Sequence, residues 1–569
     1  MSTLRRPGRA PLRSAPLLLI FALAALIALA CGGDSDSSDA TEEAGSGTPA
    51  DSGQTVGLFE NDSDSFRGYT LFTPLEYGET YLLDNEGQLV HSWETPDALS
   101  GVLQEDGTLV TTTEIDAPSD DLFIGGGTGA VTTYDWDGTV LWRYEYSDAG
   151  HRLHHDATVL PNGNVLMLAF EVKTAEQAIA AGRDPALLDE DVLLTETIIE
   201  VAHTGATSGD IVWKWDVWDH LIQDFDATKS NYGVVGEHPE LVDINFTDPG
   251  QPGERDWLHA NSVAYNPELD QIAMSIRHTS ELWMIDHSTT TAEATGHAAG
   301  RSDKGGDLLY RWGNPAAYRA GTASDQQSFY QHDAHWIADG LDGSGDILFY
   351  NNGPRLDSAY STVTQITPPV DDDGNYTLEE GEAYGPVEPT WSYEAPNRTD
   401  FYARFISSAR RLPNGNTFID EGATGTFFEV TEDGDIVWEY ISPVGPKGPL
   451  VQGQVPHDNG VRADNVVFRA YRYAPDFPGL AGRDLTPGDP LETDTDGDGA
   501  SDLAELGYYG SDPADTDTDD DGYSDGEEGT VGSDPTDPLS TPVTVTPTPT
   551  PPGPTATATP EPTATPVPG

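Results

Sequence analysis

Four histidines stand at one recurring position of this chain. Counting back seven residues from the turn Asx of six strand–turn–strand units gives Leu99, His155, His259, His332, Ser407 and His457. The whole chain has only 14 His, so four in six places is a concentration. A neutral imidazole can attack as a nucleophile or carry a proton, and several together can hold a metal. Asn261 lies two residues past His259 and so on the same face of a strand. Arg277 ends or begins the adjoining strand, and Arg404 and Arg410 flank Ser407. Guanidinium forks and amide donors beside imidazoles suit a tetrahedral oxyanion of sulfate or phosphate type. The same register favours His155 over His154 and His332 over His335. His332, His259, Arg277, His155 and Asn261 are therefore the first-rank site residues, with His457, Arg410, Arg404 and His335 behind them.

Two other uses of these histidines stay open at this level. A His repeated at one position can cap an inner strand and hydrogen-bond the neighbouring unit. It can also ligate a metal. Asp156, Asp333 and Asp458 each follow a candidate His directly. Adjacent residues on a strand point to opposite faces, which predicts that these Asp do not share a site with the His. No nucleophile elbow, phosphate-cradling loop or Rossmann glycine fingerprint is present in the sequence.

The elements that must bring such residues together are repeats. A turn residue followed by an apolar strand ending in Trp recurs at Trp93, Trp142, Trp213, Trp312, Trp391 and Trp438, the fifth being the poorest match. The second repeat is the hairpin already used, with turns at Asp106, Asn162, Asn266, Asp339, Asn414 and Asp464. Six copies of each predict an all-β chain whose residues 56–475 form a six-bladed β-propeller. Inner strands of a propeller surround a central channel, so equivalent positions in different blades converge near one mouth of it. Helical periodicity is confined to one insertion, Thr174 to Asp191. Stacked β-sandwiches would not need a Trp-ending strand in each unit.

The ends read differently. Arg5, Arg6, Arg9 and Arg13 precede an apolar run from Ala15 to Ala30, the pattern of an export signal over 1–30. The run is shorter than the roughly 20 residues a membrane helix needs. Ala28-Leu29-Ala30-Cys31 resembles a bacterial lipobox with Ala28 where Leu is usual, so Cys31 is the expected lipidation site and 31–55 a polar tether. A cleavable signal that merely contains a Cys is the alternative. Near the other end, two acidic loops begin at Asp494 and Asp517. Asp494, Asp496, Asp498, Asp502 and Glu505 occupy loop positions 1, 3, 5, 9 and 12, and Asp517, Asp519, Asp521, Asp525 and Glu528 repeat them. With Gly at position 6, these are the requirements of a twelve-residue calcium loop. Residues 490–537 are accordingly expected to bind structural Ca2+, in the manner of dockerin or thrombospondin type 3 repeats. The Thr/Pro tract 540–569 cannot bury a core and is expected to be extended.

Composition limits the partners. With 97 Asp+Glu against 27 Lys+Arg, the formal net charge is −70, which disfavours nucleic acid. A single Cys excludes an intramolecular disulfide framework and any Cys-rich zinc or iron–sulfur centre.

The ordered motifs resemble a known family. Tyr81-Leu-Leu-Asp84 with Gly87 to Trp93, His154-His155-Asp156 through Asn164, His259-Ala-Asn261 with Arg277, Gln331-His332-Asp333-Ala334, Ser407 through Asn416, and Phe468 to Tyr473 together resemble the bacterial aryl-sulfate sulfotransferases. The resemblance covers about Val56 to Tyr473. It implies sulfuryl transfer from an aryl sulfate to a phenol without 3′-phosphoadenosine phosphosulfate and without a catalytic cofactor. It also implies that His332 is transiently N-sulfated, while His259, Asn261, Arg277 and His155 bind the sulfate oxygens or protonate the leaving phenolate. The partners then expected are phenols and aryl sulfates, with the membrane reached through a lipid anchor on the extracytoplasmic side. Well-known members carry a separate N-terminal β-sandwich, whereas only a short stretch lies here between the spacer and the first blade, and the calcium repeats and Thr/Pro tail are additions. A non-enzymatic surface propeller that binds a glycan or protein, and a metal-dependent hydrolase on the same ring, are the alternatives.

Overall fold

The computed structural model describes residues 53–247, 253–354 and 359–542. The export signal, Cys31, most of the tether and the Thr/Pro tract from 543 onward lie outside the described residues. Among the described residues no helix is long and apolar enough to cross a membrane.

Six antiparallel sheets of four or five strands form the blades of a β-propeller. Blade 2 (Ala98–Leu103, Leu109–Glu114, Gly129–Tyr134, Val140–Glu145) shows the plan, a four-stranded meander whose first strand is innermost. Blades 3, 4 and 5 repeat it with inner strands His151–Val159, Ala260–Asn266 and His332–Trp336, and blade 6 begins with Ser408–Arg411. The ring closes through both chain ends. Val467–Tyr473 supplies the inner strand of blade 1 beside Tyr69–Pro74, and Gly57–Asn61 adds an outermost strand to blade 6.

The recurring Trp has a physical task. Each stands on the fourth strand of its blade, and its indole N–H donates to the next blade around the ring. The acceptors are Asp135 O (3.2 Å) for Trp93, Ser208 O (3.2 Å) for Trp142 and Thr289 Oγ1 (3.2 Å) for Trp213. They continue with Pro386 O (2.9 Å) for Trp312, Glu432 O (3.1 Å) for Trp391 and Asn85 O (2.9 Å) for Trp438, the last returning to blade 1. Five of the six are buried; Trp391, the weakest sequence match, is half-buried. A large ring that is buried and also needs a partner for its polar tip is well suited to joining blades.

Two expectations need correction. The sixth hairpin is absent because Asp464 precedes Val467–Tyr473, whose hairpin partner comes from the other end of the chain. His457, placed by counting back from Asp464, instead lies in a loop with its side chain 75% exposed, and it does not join the inner strands. In the insertion 174–191 the helix is short, Ala175–Ala180, started by a capping box between Thr174 and Gln177.

The acidic region from Thr493 is a separate unit. Its helical segments are Asp502–Ala504, continued by the wider turn Glu505–Tyr509, and Asp525–Val531.

Candidate active site

The site starts from a fault in the strands. His155, His259, Asp333 and Ser407 have φ of 51°, 54°, 60° and 86°, a left-handed conformation that side-chain-bearing residues rarely adopt. His155 lies mid-way along the inner strand of blade 3, and His259, Asp333 and Ser407 lie where those of blades 4 to 6 begin; pairing slips between Leu153 and Ala157, Ala260 and Ser262, and His332 and His335. Bulges of this kind re-aim side chains and are held by their surroundings. One consequence is that strict alternation fails at these positions.

The re-aimed imidazoles meet. The rings of His155 and His259 are 4.6 Å apart, edge to face, and His259 stacks on His278 at 4.9 Å. His155 is driven well below the usual imidazole range, by burial first and then by the proximity of His259, His154, His332 and Arg277. His332 is likewise pushed down by burial, Arg277 and His259. It is therefore a neutral ring at pH 7. Residues of blades 3, 4 and 5 thus share one small volume.

The tautomer of His332 is fixed by its neighbours. Asn352 donates through Nδ2 to the carbonyls of Ala403 (2.9 Å) and Ile406 (3.0 Å), so its Oδ1 must face the ring. His332 Nδ1 lies 2.7 Å from that oxygen and carries the proton. The lone pair is left on Nε2, which accepts a 3.2 Å hydrogen bond from the Ile406 amide. Asn352 escaped the sequence argument because it stands on no repeat, just past the second strand of blade 5.

Cation and proton carriers surround this ring. Arg277 Nη1 donates to His278 Nε2 at 2.8 Å, and its guanidinium sits over Tyr330 at 5.3 Å. Its Nη2 is buried without a protein partner, as is Asn261 Oδ1, whose amide nitrogen donates to Gln331 O at 2.7 Å. Orphaned buried groups are expensive unless something polar arrives to meet them. His259 Nδ1 donates to Asp256 at 2.5 Å, which orients it as a proton carrier. His154 turns the other way, onto buried Glu196 at 3.0 Å, as the register required. His155 Nδ1 contacts His154 Nδ1 at 2.9 Å, and its ring lies against Gly126. A Cβ on Gly126 would come within 2.2 Å of His155 Nε2, at a φ of +73°, so only glycine fits.

The remaining candidates form a second layer. Arg410 grips Asp333 with both guanidinium nitrogens and contacts His335 Nδ1 at 2.7 Å. Arg469, from the inner strand of blade 1, reaches Asp156 at 2.9 Å and Asp333 at 3.1 Å. Burial alone would raise the Asp333 carboxyl, but Arg410 and Arg469 outweigh it and hold it low. Asp156 and Asp333 therefore do point inward, contrary to strict alternation, and are spent on arginines. Arg410 and His335 belong to this charged layer, and Arg404 is half-buried in the loop before Ser407. Among the described residues, the clusters whose ligating atoms converge for a metal do not include His155, His259 or His332.

A family profile described as "Arylsulfotransferase (ASST)" matches residues 62–453. The chain belongs to the arylsulfotransferase family. Residues 494–516 and 517–538 match the bacterial TSP3 repeat. The chain is similar to Arylsulfate sulfotransferase AssT of Lelliottia amnigena, 24% identical over 269 residues, which is 42% of each chain. The chain thus spans about two fifths of that curated relative's length. Among solved structures it is similar to a Bacteroides caccae protein of unknown function, at 12% identity over 72% of this chain and 99% of that one, TM-score 0.37. It is also similar to a catalytically inactive virginiamycin B lyase from Staphylococcus aureus, at 9% identity over 69% of this chain and 90% of that one, TM-score 0.31.

In this arylsulfotransferase-family chain the two terminal loops are shaped for a hard cation. Asp494, Asp496 and Asp498 converge, as do Asp517, Asp519 and Asp521. Asp496 Oδ2, Glu505 Oε2, Asp519 Oδ2, Asp521 Oδ2 and both Glu528 carboxylate oxygens are buried without partners. Burial and the neighbouring carboxylates push Glu505 up to about 8 and Glu528 up to about 6. A calcium ion would supply what these oxygens lack. Asp502 and Asp525 have another job: their two oxygens take hydrogen bonds from the Thr495 and Thr518 backbone and hydroxyl, at 2.7 to 3.0 Å, and brace the loops. Chelation is expected to loosen Thr493 to Glu528 while the propeller's melting transition stays in place. Calorimetry with and without EDTA checks this, and a large fall in the propeller transition would contradict it.

Proposed function

We propose that this chain moves a sulfuryl group from an aryl sulfate to a phenol by a ping-pong route through His332. The single observation that supports it is the neutral His332, its proton locked on Nδ1 by Asn352 and its lone pair on Nε2, beside the unpartnered Nη2 of Arg277. His332 Nε2 gives up the Ile406 amide and attacks sulfur, the S–N bond forms, and the sulfur–aryl oxygen bond breaks with both electrons leaving on the phenolate. His259, held by Asp256, gives that phenolate a proton and later takes one from the incoming phenol. Arg277 Nη2 donates to the equatorial oxygens while charge builds on them, and Asn261 can add only the second N–H of its Nδ2, because its Oδ1 accepts and does not donate. The second phenol then attacks sulfur and returns His332 to its neutral form. Structural Ca2+ in the terminal loops takes no part in these steps.

The test is incubation of the purified protein with 4-nitrophenyl sulfate and excess phenol. Nitrophenolate release, with initial-rate lines parallel in donor and acceptor, is expected. No release above background with any phenol tried would favour a non-enzymatic binding propeller. Activity lost on chelation, with metal bound outside the acidic repeats at the imidazole ring, would favour a hydrolase instead.

Acid sensitivity follows from the site. Protonation of His332 destroys the nucleophile, and its pKa lies well below 6.5 because burial and Arg277 penalise the imidazolium. The acid limb of kcat/KM for the donor half-reaction should therefore fall well below pH 6.5. A limb at 6.5 would contradict the buried neutral ring. Asn352→Leu removes the bond that strengthens as the ring gains charge, about 1.5–3 kcal/mol. A fall in kcat of about 10- to 100-fold with little change in KM is expected from steady-state kinetics.

Export and anchoring belong to the same proposal. The basic-then-apolar stretch before Cys31 supports a lipoprotein tethered on the extracytoplasmic side. Labelling of the wild-type chain, but not of Cys31→Ser, by a fatty acid would support it, and equal labelling would end it.

A further inference from the structure

The geometry points to a divalent transition-metal site at the propeller rim, of zinc type, formed by His220, His297 and Asp307. It lies between blade 3, whose outer strand Ser208–Asp216 leads into His220, and blade 4, whose outer strand Tyr310–Trp312 follows Asp307. It is separate from the sulfuryl-transfer site, whose residues stand on or beside inner strands. His220 Nδ1 and His297 Nδ1 each lie 2.8 Å from the same oxygen, Asp307 Oδ1. All three ligating atoms fall within 4.8 Å of one another.

Three features favour a cation over a plain hydrogen-bonded cluster. The Nε2 of His220 donates to the carbonyl of Ala294 at 2.9 Å, which fixes the tautomer that leaves Nδ1 as a ligand. A backbone carbonyl behind a ligating imidazole is the usual outer support of a zinc site. Without a cation, one oxygen of Asp307 serves two imidazole nitrogens at once, that of the wholly buried His220 and that of His297. With one, the nitrogens and the carboxylate bind the same ion, after opening from 2.8 Å to the roughly 3.3 Å that tetrahedral zinc ligands keep between them. His297 is 61% exposed and lines a cavity of about 500 Å3 with Trp218, Tyr232 and His238, so it can move and water can complete the coordination. The net charge of −70 also raises the local concentration of cations. The ion would fasten the segment after the Thr291–Ala294 helix to the end of blade 3. Two imidazoles and one carboxylate suit zinc or cobalt over calcium, which prefers oxygen ligands.

Cobalt(II) added to the full protein, with calcium in excess to fill the acidic loops, tests this directly. One equivalent is expected to give the visible absorption of a tetrahedral nitrogen- and oxygen-ligated ion, which zinc displaces. His297→Ala, on an exposed side chain that folding does not need, should weaken cobalt binding by about tenfold or more. Asp494→Asn with Asp517→Asn should leave the signal intact. Absence of the absorption, or the same cobalt affinity in His297→Ala and the wild-type chain, would overturn the site.

Discussion

Replacing His332 with Ala is expected to lower sulfuryl transfer by about 10,000-fold or more, because nothing nearby replaces its lone pair. His155 and His259 are close, but His155 is packed on Gly126 and His154, and His259 is tied to Asp256. The protein should still fold. His332 is buried and bonded on both sides, so its loss frees Asn352 Oδ1 and the Ile406 amide, at a cost of about 1–3 kcal/mol for each group that water does not reach. Intact mass after donor treatment reads the chemistry separately from stability: the wild-type chain should gain one SO3 and the variant none. A variant that still gains the adduct, or a wild-type chain that never does, would sink the covalent route.

Arg469→Met carries the largest predicted stability effect. Arg469 sits in the buried layer between Asp156 (2.9 Å) and Asp333 (3.1 Å), contributed by blades 3 and 5, while it comes itself from blade 1. Removing one partner leaves buried carboxylates that the remaining charges satisfy only in part, with a cost of about 3–5 kcal/mol. In the wild-type chain the arginines hold Asp333 below its ordinary value, so that stability is present above the unfolded carboxylate pKa and lost on acidification. In the variant Arg410 alone opposes the burial that raises the carboxyl, so the balance moves towards the protonated form. The deficit should be largest near pH 7 and shrink as the pH falls towards 4. Urea unfolding at both pH values measures it, and equal midpoints for the two proteins at pH 7 would contradict the account. This layer also explains why Asp156 and Asp333 are poor metal ligands for the imidazoles above them.

Local signals made much of this protein legible before any coordinates. The Trp-ending strands predicted six blades because each blade must bury an indole and find a partner for its N–H, a demand that recurs once per repeat. The hairpin register predicted that His155, His259 and His332 would meet, since a ring maps equal repeat positions onto one axis. The register failed for His457. Its unit is the one where the propeller segment closes, and the inner strand there, Val467–Tyr473, pairs with Tyr69–Pro74 from the opposite end of that segment, a pairing that spacing cannot reveal. Alternation failed at Asp156 because the left-handed residue His155 precedes it, and at Asp333 because Asp333 is itself the left-handed residue. No composition or period announces that conformation.

The sequence by itself determined the repeat number, the family, the acidic loops and the list of candidate imidazole, guanidinium and amide groups. Each of these is set by residue type at fixed intervals along one strand or one loop. Tertiary structure alone decided which nitrogen of His332 keeps the lone pair, which arginine keeps an unpaired arm, and which are spent on buried aspartates. Those outcomes depend on Asn352, Gly126 and Arg469, contributed by three different blades. Contacts made across a closed ring depend on how the ring closes, and that is fixed only when the two ends of the chain meet.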